Sequence, residues 1–251
     1  MDTNSRPVIV SFISGKGAIG KSTILSLLSY VLSDKFSTIL IWDNDLHSPI
    51  QHILNGIELN VNLIDVLTNN LPTNKALSKI TNKIFLIGGA NKYKIDIDLS
   101  EALQMKFKEL LNENHFDIVF VDNHSGFSKS IVDFTKISTL NLLFLSDEPT
   151  AVLDAYGLTK ILSKYYGINN LATVVNNVID EEDGMNVSNI FKQATFNFLN
   201  LQIPNYGIIP YEKELRKYIF SVKEFLRVNN SSEFLKSLHK LAEKISLLSQ
   251  Q

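Results

Sequence analysis

The chain has 251 residues, with 24 Lys or Arg against 26 Asp or Glu and a formal charge of −2. At 45% apolar and 20% charged it can bury a sizeable core, and its even charge balance gives no overall pull toward nucleic acid. It has no cysteine, which excludes disulfides, thiolate metal sites and iron–sulfur clusters.

The first ten residues, MDTNSRPVIV, lack a basic region followed by a long apolar core. No run of about 18 apolar residues occurs that would suit a membrane span. The expectation is a cytoplasmic protein, with no leader, built as one domain over residues 1–251.

Apolar runs at 8–13, 38–42, 83–87, 117–121, 141–146 and 171–175 predict buried strands, with a seventh at 206–209. Amphipathic stretches at 21–32, 100–112, 151–165, 185–200 and 233–249 predict helices. Residues 69–74 and the acidic stretch 180–184 read as surface connections. Strands alternating with helices predict an α/β, three-layer fold: a mostly parallel sheet of about seven or eight strands, covered on both faces.

The first strand runs into Gly15-Lys16-Gly17-Ala18-Ile19-Gly20-Lys21-Ser22-Thr23, and a helix starts near Lys21. The pattern G-x-x-x-x-G-K-[ST] in this context is a phosphate loop, which makes the expected α/β architecture a three-layer P-loop NTPase fold. Glycines allow a tight turn that aims several N–H groups inward, and the helix adds its positive end. Lys21 then neutralises phosphate charge, and the Ser22 hydroxyl ligates Mg²⁺. The expected ligands are therefore ATP and Mg²⁺.

The second strand ends in Asp43-Asn44-Asp45, at the carboxyl edge where open α/β sheets bind ligands. The strand at 117–121 ends in Asp122, which is placed to hold a metal-bound water. Asn123-His124-Ser125-Gly126 follow, and His124 reads as a loop residue without a catalytic role. The strand at 171–175 runs into Asn176, and 206–209 into Pro210 and Glu212.

Lys16, directly after the first glycine, is not needed to build the loop. With that lysine the sequence resembles the deviant Walker A ATPases that include MinD, ParA and FlhG. The resemblance implies that Lys16 reaches across a homodimer interface to the partner's nucleotide. It implies that Asp43 supports Mg²⁺ through water and that Asp45 orients the attacking water. Gly126 would sense the terminal phosphate through its N–H. Asn176 would read the adenine edge, flanked by the loop carrying Pro210 and Glu212; an amide can both donate to and accept from adenine. Ala18 stands where the family usually has a second glycine.

The string Glu148-Pro149-Thr150-Ala151, followed by Asp154-Ala155-Tyr156, is similar to the FlhG branch, which sets flagellar number and placement. That resemblance implies flagellar partners, an FlhF-type GTPase and switch-complex proteins. The N-terminal motif that acts on the GTPase in that branch is not found before the first strand. The C-terminal helix, with Phe234, Leu235, Leu238, Leu241, Ala242, Ile245 and Leu248 on one face, suits either reversible attachment to the inner membrane face or packing on the core. A ParA-like role in DNA partition and a MinD-like role in division-site choice are the alternatives. The balanced charge argues against DNA.

Overall fold

Strands apolar on both faces need cover on both sides, and the helices supply it. The computed structural model describes residues 6–89, 99–229 and 232–250. The first five residues of the segment read for a leader lie outside the described residues. In chain order the elements are β1 (Val8–Ser14), α1 (Lys21–Leu32), β2 (Ile39–Asp43), α2 (Gln51–Leu54), α3 (Leu63–Thr68), β3 (Leu77–Lys79), β4 (Ile84–Ile87) and α4 (Ser100–Glu113). They continue with β5 (Ile118–Asp122), α5 (Lys129–Ile137), β6 (Leu140–Leu145), α6 (Pro149–Tyr166), β7 (Leu171–Val178), α7 (Glu181–Leu199), β8 (Asn205–Pro210), α8 (Val222–Val228) and α9 (Glu233–Ser246).

Among the described residues the strands form one eight-stranded sheet, ordered β3-β4-β2-β5-β1-β6-β7-β8. Every pairing is parallel except β3 with β4. The strand alternation divides the core. Val10 and Phe12 of β1, with Phe120 and Phe144, face a layer made by α1, α8 and α9. Trp42 and Val121 face α3 and α4, while Ile13, Leu143 and Val175 face α6 and α7. β1 is central, so the segment leaving its carboxyl end is flanked by the ends of β5 and β6. This is the crevice where ligands bind in such sheets.

One expectation needs correction. α7 begins at Glu181 rather than at 185, because the Asp180 side chain accepts the Asp183 N–H at 2.9 Å and caps the helix. Acidic residues in that first turn complement the helix dipole, so the supposed acidic turn is a helix start. The connection at 69–74 lies largely at the surface, as read, and runs into a 3-10 turn, Thr73–Ala76.

For α9, of the two settings its stripe suits, the structure shows packing on the core. Phe234, Leu235, Leu238, Leu241, Ala242 and Ile245 are all buried, packed with α1 and β8. Five of these are large side chains, each contributing roughly 1.5–3 kcal/mol by burial. Lipid would only replace what the core already supplies. The stripe that suited either membrane or core lies inside the protein. Among the described residues, no helix is long and apolar enough to cross a membrane.

Candidate functional site

β1 delivers the chain to Gly15, and α1 starts six residues later at Lys21. A Cβ on Gly15 would lie 2.3 Å from the Asp154 backbone carbon in α6, so only glycine lets the loop approach that helix. Gly20 caps α1 at φ 83°, and a Cβ there would lie 2.5 Å from Asn176 Nδ2. Gly20 has no side chain to cap the helix, and the first turn of α1 carries no acid. Its first amides are thus left for an anion. Ala18 adopts φ 62°, the left-handed region that glycine occupies freely. The loop forms with alanine there, at a local strain.

Below the loop lie two carboxylates. Asp43 and Asp122 are cross-strand partners at the ends of β2 and β5, and both are buried. Burial, then the neighbouring Asp122, pushes the Asp43 carboxyl well above the usual carboxylate range. Asp43 Oδ2 accepts the Gln51 N–H at 3.1 Å, and Oδ1 accepts the Asp45 N–H at 3.3 Å. Lys21 is buried and donates to Asp122 Oδ1. Gln51 Nε2 bridges Asp122 Oδ2 at 2.7 Å and the Ser22 carbonyl at 3.0 Å. The chemistry here is two adjacent carboxylates, Asp122 paired with the Lys21 ammonium and Asp43 held by backbone N–H groups. Hard oxygen ligands fit Mg²⁺, which binds through one or two carboxylates plus substrate phosphates. Consistently, no group of three or more His, Cys, Asp or Glu gathers as a protein-only cage among the described residues.

Two loops flank this pair. Asp45 Oδ1 accepts the N–H groups of His47 at 3.1 Å and Ser48 at 2.9 Å, closing its own turn. The Gly126 N–H donates to the Ser14 carbonyl at 2.9 Å, so its expected sensing role requires that bond to be exchanged. His124 bonds within its loop, Nδ1 to the Ser125 carbonyl at 2.8 Å and Nε2 to Ser128 Oγ at 2.7 Å. It staples the turn, as a loop residue.

Lys16 lies at the mouth. Its Nζ donates to Glu148, at the N-cap of α6, and to Thr150 Oγ1 at 3.0 Å. The side chains of Lys16 and Glu148 are 34% and 59% exposed, so the pair contributes only about 0–1 kcal/mol. It parks the lysine beside the phosphate loop without fixing it there.

Beyond Gly20 a cleft of about 240 Å³ is lined by Ala18, Asn176, Asn177, Pro210, Tyr211 and Glu212, among others. That is below the roughly 300–1,000 Å³ of a whole-ligand pocket and suits one ring system. Asn176 donates its amide to the Ile19 carbonyl at 2.7 Å, leaving its oxygen as the group to accept from a base amine. Arg216 lies over the Tyr211 ring at 5.3 Å and closes the outer wall. A larger apolar cleft, about 590 Å³ around Lys192, Phe196 and Pro204, lies at α7 and offers no carboxylate or histidine.

The structure thus gathers Lys16, Lys21, Ser22, Asp43 and Asp122 at one sheet edge, with Asn176, Pro210 and Glu212 beside it. Sequence reasoning missed Gln51 as the brace of Asp122, Glu148 and Thr150 as the resting partners of Lys16, and Arg216 as a cleft wall. None has a spacing signal, because the tertiary fold brings each from a distant segment.

Comparison with known proteins agrees with this fold. The profile of the family described as CobQ/CobB/MinD/ParA nucleotide binding domain matches residues 10–224. The chain is 24% identical over 213 residues to the antiactivator FleN of Pseudomonas aeruginosa, covering 84% of this chain and 76% of that protein. It is 25% identical over 244 residues to the flagellum site-determining protein YlxH of Helicobacter pylori, covering 96% and 82%. Among solved structures, the cell division ATPase MinD of Pyrococcus furiosus superposes with a TM-score of 0.78 at 22% identity, covering 96% and 99%. The septum site-determining protein MinD with Mg-ADP from Pyrococcus horikoshii gives 0.75 at 19%, covering 95% and 96%.

Proposed function

The chain belongs to the CobQ/CobB/MinD/ParA nucleotide-binding family, and from that premise we propose that it is an Mg²⁺-dependent ATPase that dimerises with ATP and regulates flagellar number and placement. The observation that carries the catalytic part is the convergence of Lys21, Asp43 and Asp122 beneath an uncapped helix start. The flagellar part is supported by the similarity to FleN and YlxH.

In this reading the loop amides and the start of α1 hold the triphosphate. Lys21 exchanges Asp122 for phosphate oxygens, and Ser22, Asp43 and Asp122 are the residues that would hold the metal. Magnesium, when bound, neutralises charge developing on the phosphates. Asp45 orients the attacking water, and Lys16 leaves Glu148 to reach the partner's nucleotide. Asn176 accepts from the adenine amine, with Pro210 and Glu212 flanking the ring. The site of action is the cytoplasm, with flagellar assembly proteins as partners.

Phosphate release from ATP and Mg²⁺ tests the catalytic claim. Lys21→Ala is expected to lower turnover by roughly 10²–10³-fold, the effect of losing one aimed charge-stabilising donor. Wild-type protein releasing no more phosphate than Lys21→Ala would refute it. Counting flagella by electron microscopy in cells carrying Lys16→Ala tests the biological claim; unchanged number and placement would refute that part.

A further inference from the structure

Between the two aspartates of 43–45 lies Asn44, a residue to which the mechanism above gives no task. It is 2% exposed and turns inward. Its N–H donates to the Asp122 carbonyl at 2.9 Å. Its side-chain amide donates to Asn123 Oδ1 at 2.8 Å and to Ser130 Oγ, in the first turn of α5, at 2.9 Å. Asn123 is fully buried, and both its N–H and its side-chain amide donate to the Phe12 carbonyl of β1, each at 3.2 Å. Two buried amides thus tie the ends of β2, β5 and β1 to the start of α5.

Asp45, one residue from Asn44, orients the water. Gly126, three residues from Asn123, must leave the Ser14 carbonyl before its N–H can meet a terminal phosphate. We propose that the Asn44–Asn123 amide pair clasps these two loops into one moving unit, so that Asn44 is a positioning residue that carries terminal-phosphate engagement at 123–126 to Asp45. The physical basis is the cost of breaking the pair. Separating the loops breaks the buried Asn44–Asn123 bond and leaves its amide groups desolvated and unpaired, whereas moving them together keeps that bond. The Asn44 oxygen already has no partner, so the donor side alone makes the link.

The inference rests on the ATPase reading, and the test separates the two. Asn44→Ala, Asn123→Ala and the double variant are compared with wild type in steady-state ATP turnover. The clasp predicts kcat at least tenfold lower with KM for ATP within twofold, and the same loss in the double variant as in either single one. A folded variant with wild-type kcat, or losses that multiply, overturns it. Hydrogen exchange with Mg²⁺ and a nonhydrolysable ATP analogue decides the same question without turnover. In wild type, 43–48 and 123–128 should gain protection together; in Asn44→Ala only one segment should. Protection still in step in Asn44→Ala overturns the clasp. Wild-type protein with no turnover refutes the ATPase reading alone. Should the alanine variants unfold, Asn44→Leu with Asn123→Leu removes both amides at similar volume and is measured in the same two ways. Unfolding of that pair as well would make the amides structural and overturn the proposal.

Discussion

Ala18 sits at φ 62° within the loop between β1 and α1. The left-handed conformation costs an alanine about 1–2 kcal/mol, and glycine gives back part of that through its freer unfolded chain. Ala18→Gly should therefore stabilise the protein by roughly 0.5–1 kcal/mol and raise Tm by about 1–4 °C; a lower Tm by calorimetry would show that the loop is not strained there. Asp43 is strained in another way, electrostatically. Its folded-state pKa is raised by burial and by Asp122. Below about pH 4, the ordinary carboxylate range, it is protonated folded and unfolded alike. As pH rises from there, the unfolded chain ionises first and the fold loses stability until the raised pKa is passed. In metal-free buffer, the Tm of wild type relative to Asp43→Asn should fall as pH rises above about 4. A constant difference would mean that Asp43 ionises normally.

At the scale of elements, α9 separates two accounts of one pattern. Its stripe looks alike whether it meets lipid or core, and only the tertiary structure shows Leu238 fully buried against the α1 layer. Leu238→Ala should cost about 2–5 kcal/mol and lower Tm by about 5–15 °C, with vesicle flotation no different from wild type. Flotation that drops while Tm holds would return the helix to the membrane. The same lesson explains what was legible. The buried parallel strands were readable because they are apolar on both faces and end in chemistry: Asp43, Asp122, Asn176. β3 is three residues long at an antiparallel edge, too short for a period. α3 carries a readable capping box, Asn62 with Asp65, but only six helical residues behind it. α5 is announced by Ser128, whose hydroxyl caps it at the Ile131 N–H, but only nine helical residues follow.

For the whole molecule, the sheet order explains why residues 100 positions apart act together. β1 at the centre carries the phosphate loop, and β5 and β2 beside it carry the carboxylates. That convergence was legible from the motifs, whereas the partners that set the resting state were not. Lys21 on Asp122 and Lys16 on Glu148 depend on where distant side chains arrive. The second pair is exposed and weak, so a nucleotide held by another copy of the chain can draw Lys16 away at little cost. The most direct measurement is sedimentation with saturating Mg²⁺ and a nonhydrolysable ATP analogue. The account predicts that wild type moves to twice its 28.3 kDa, while Lys16→Ala binds the analogue and stays monomeric. A nucleotide-bound dimer that persists in Lys16→Ala, or wild type that binds the analogue and remains single, would contradict it.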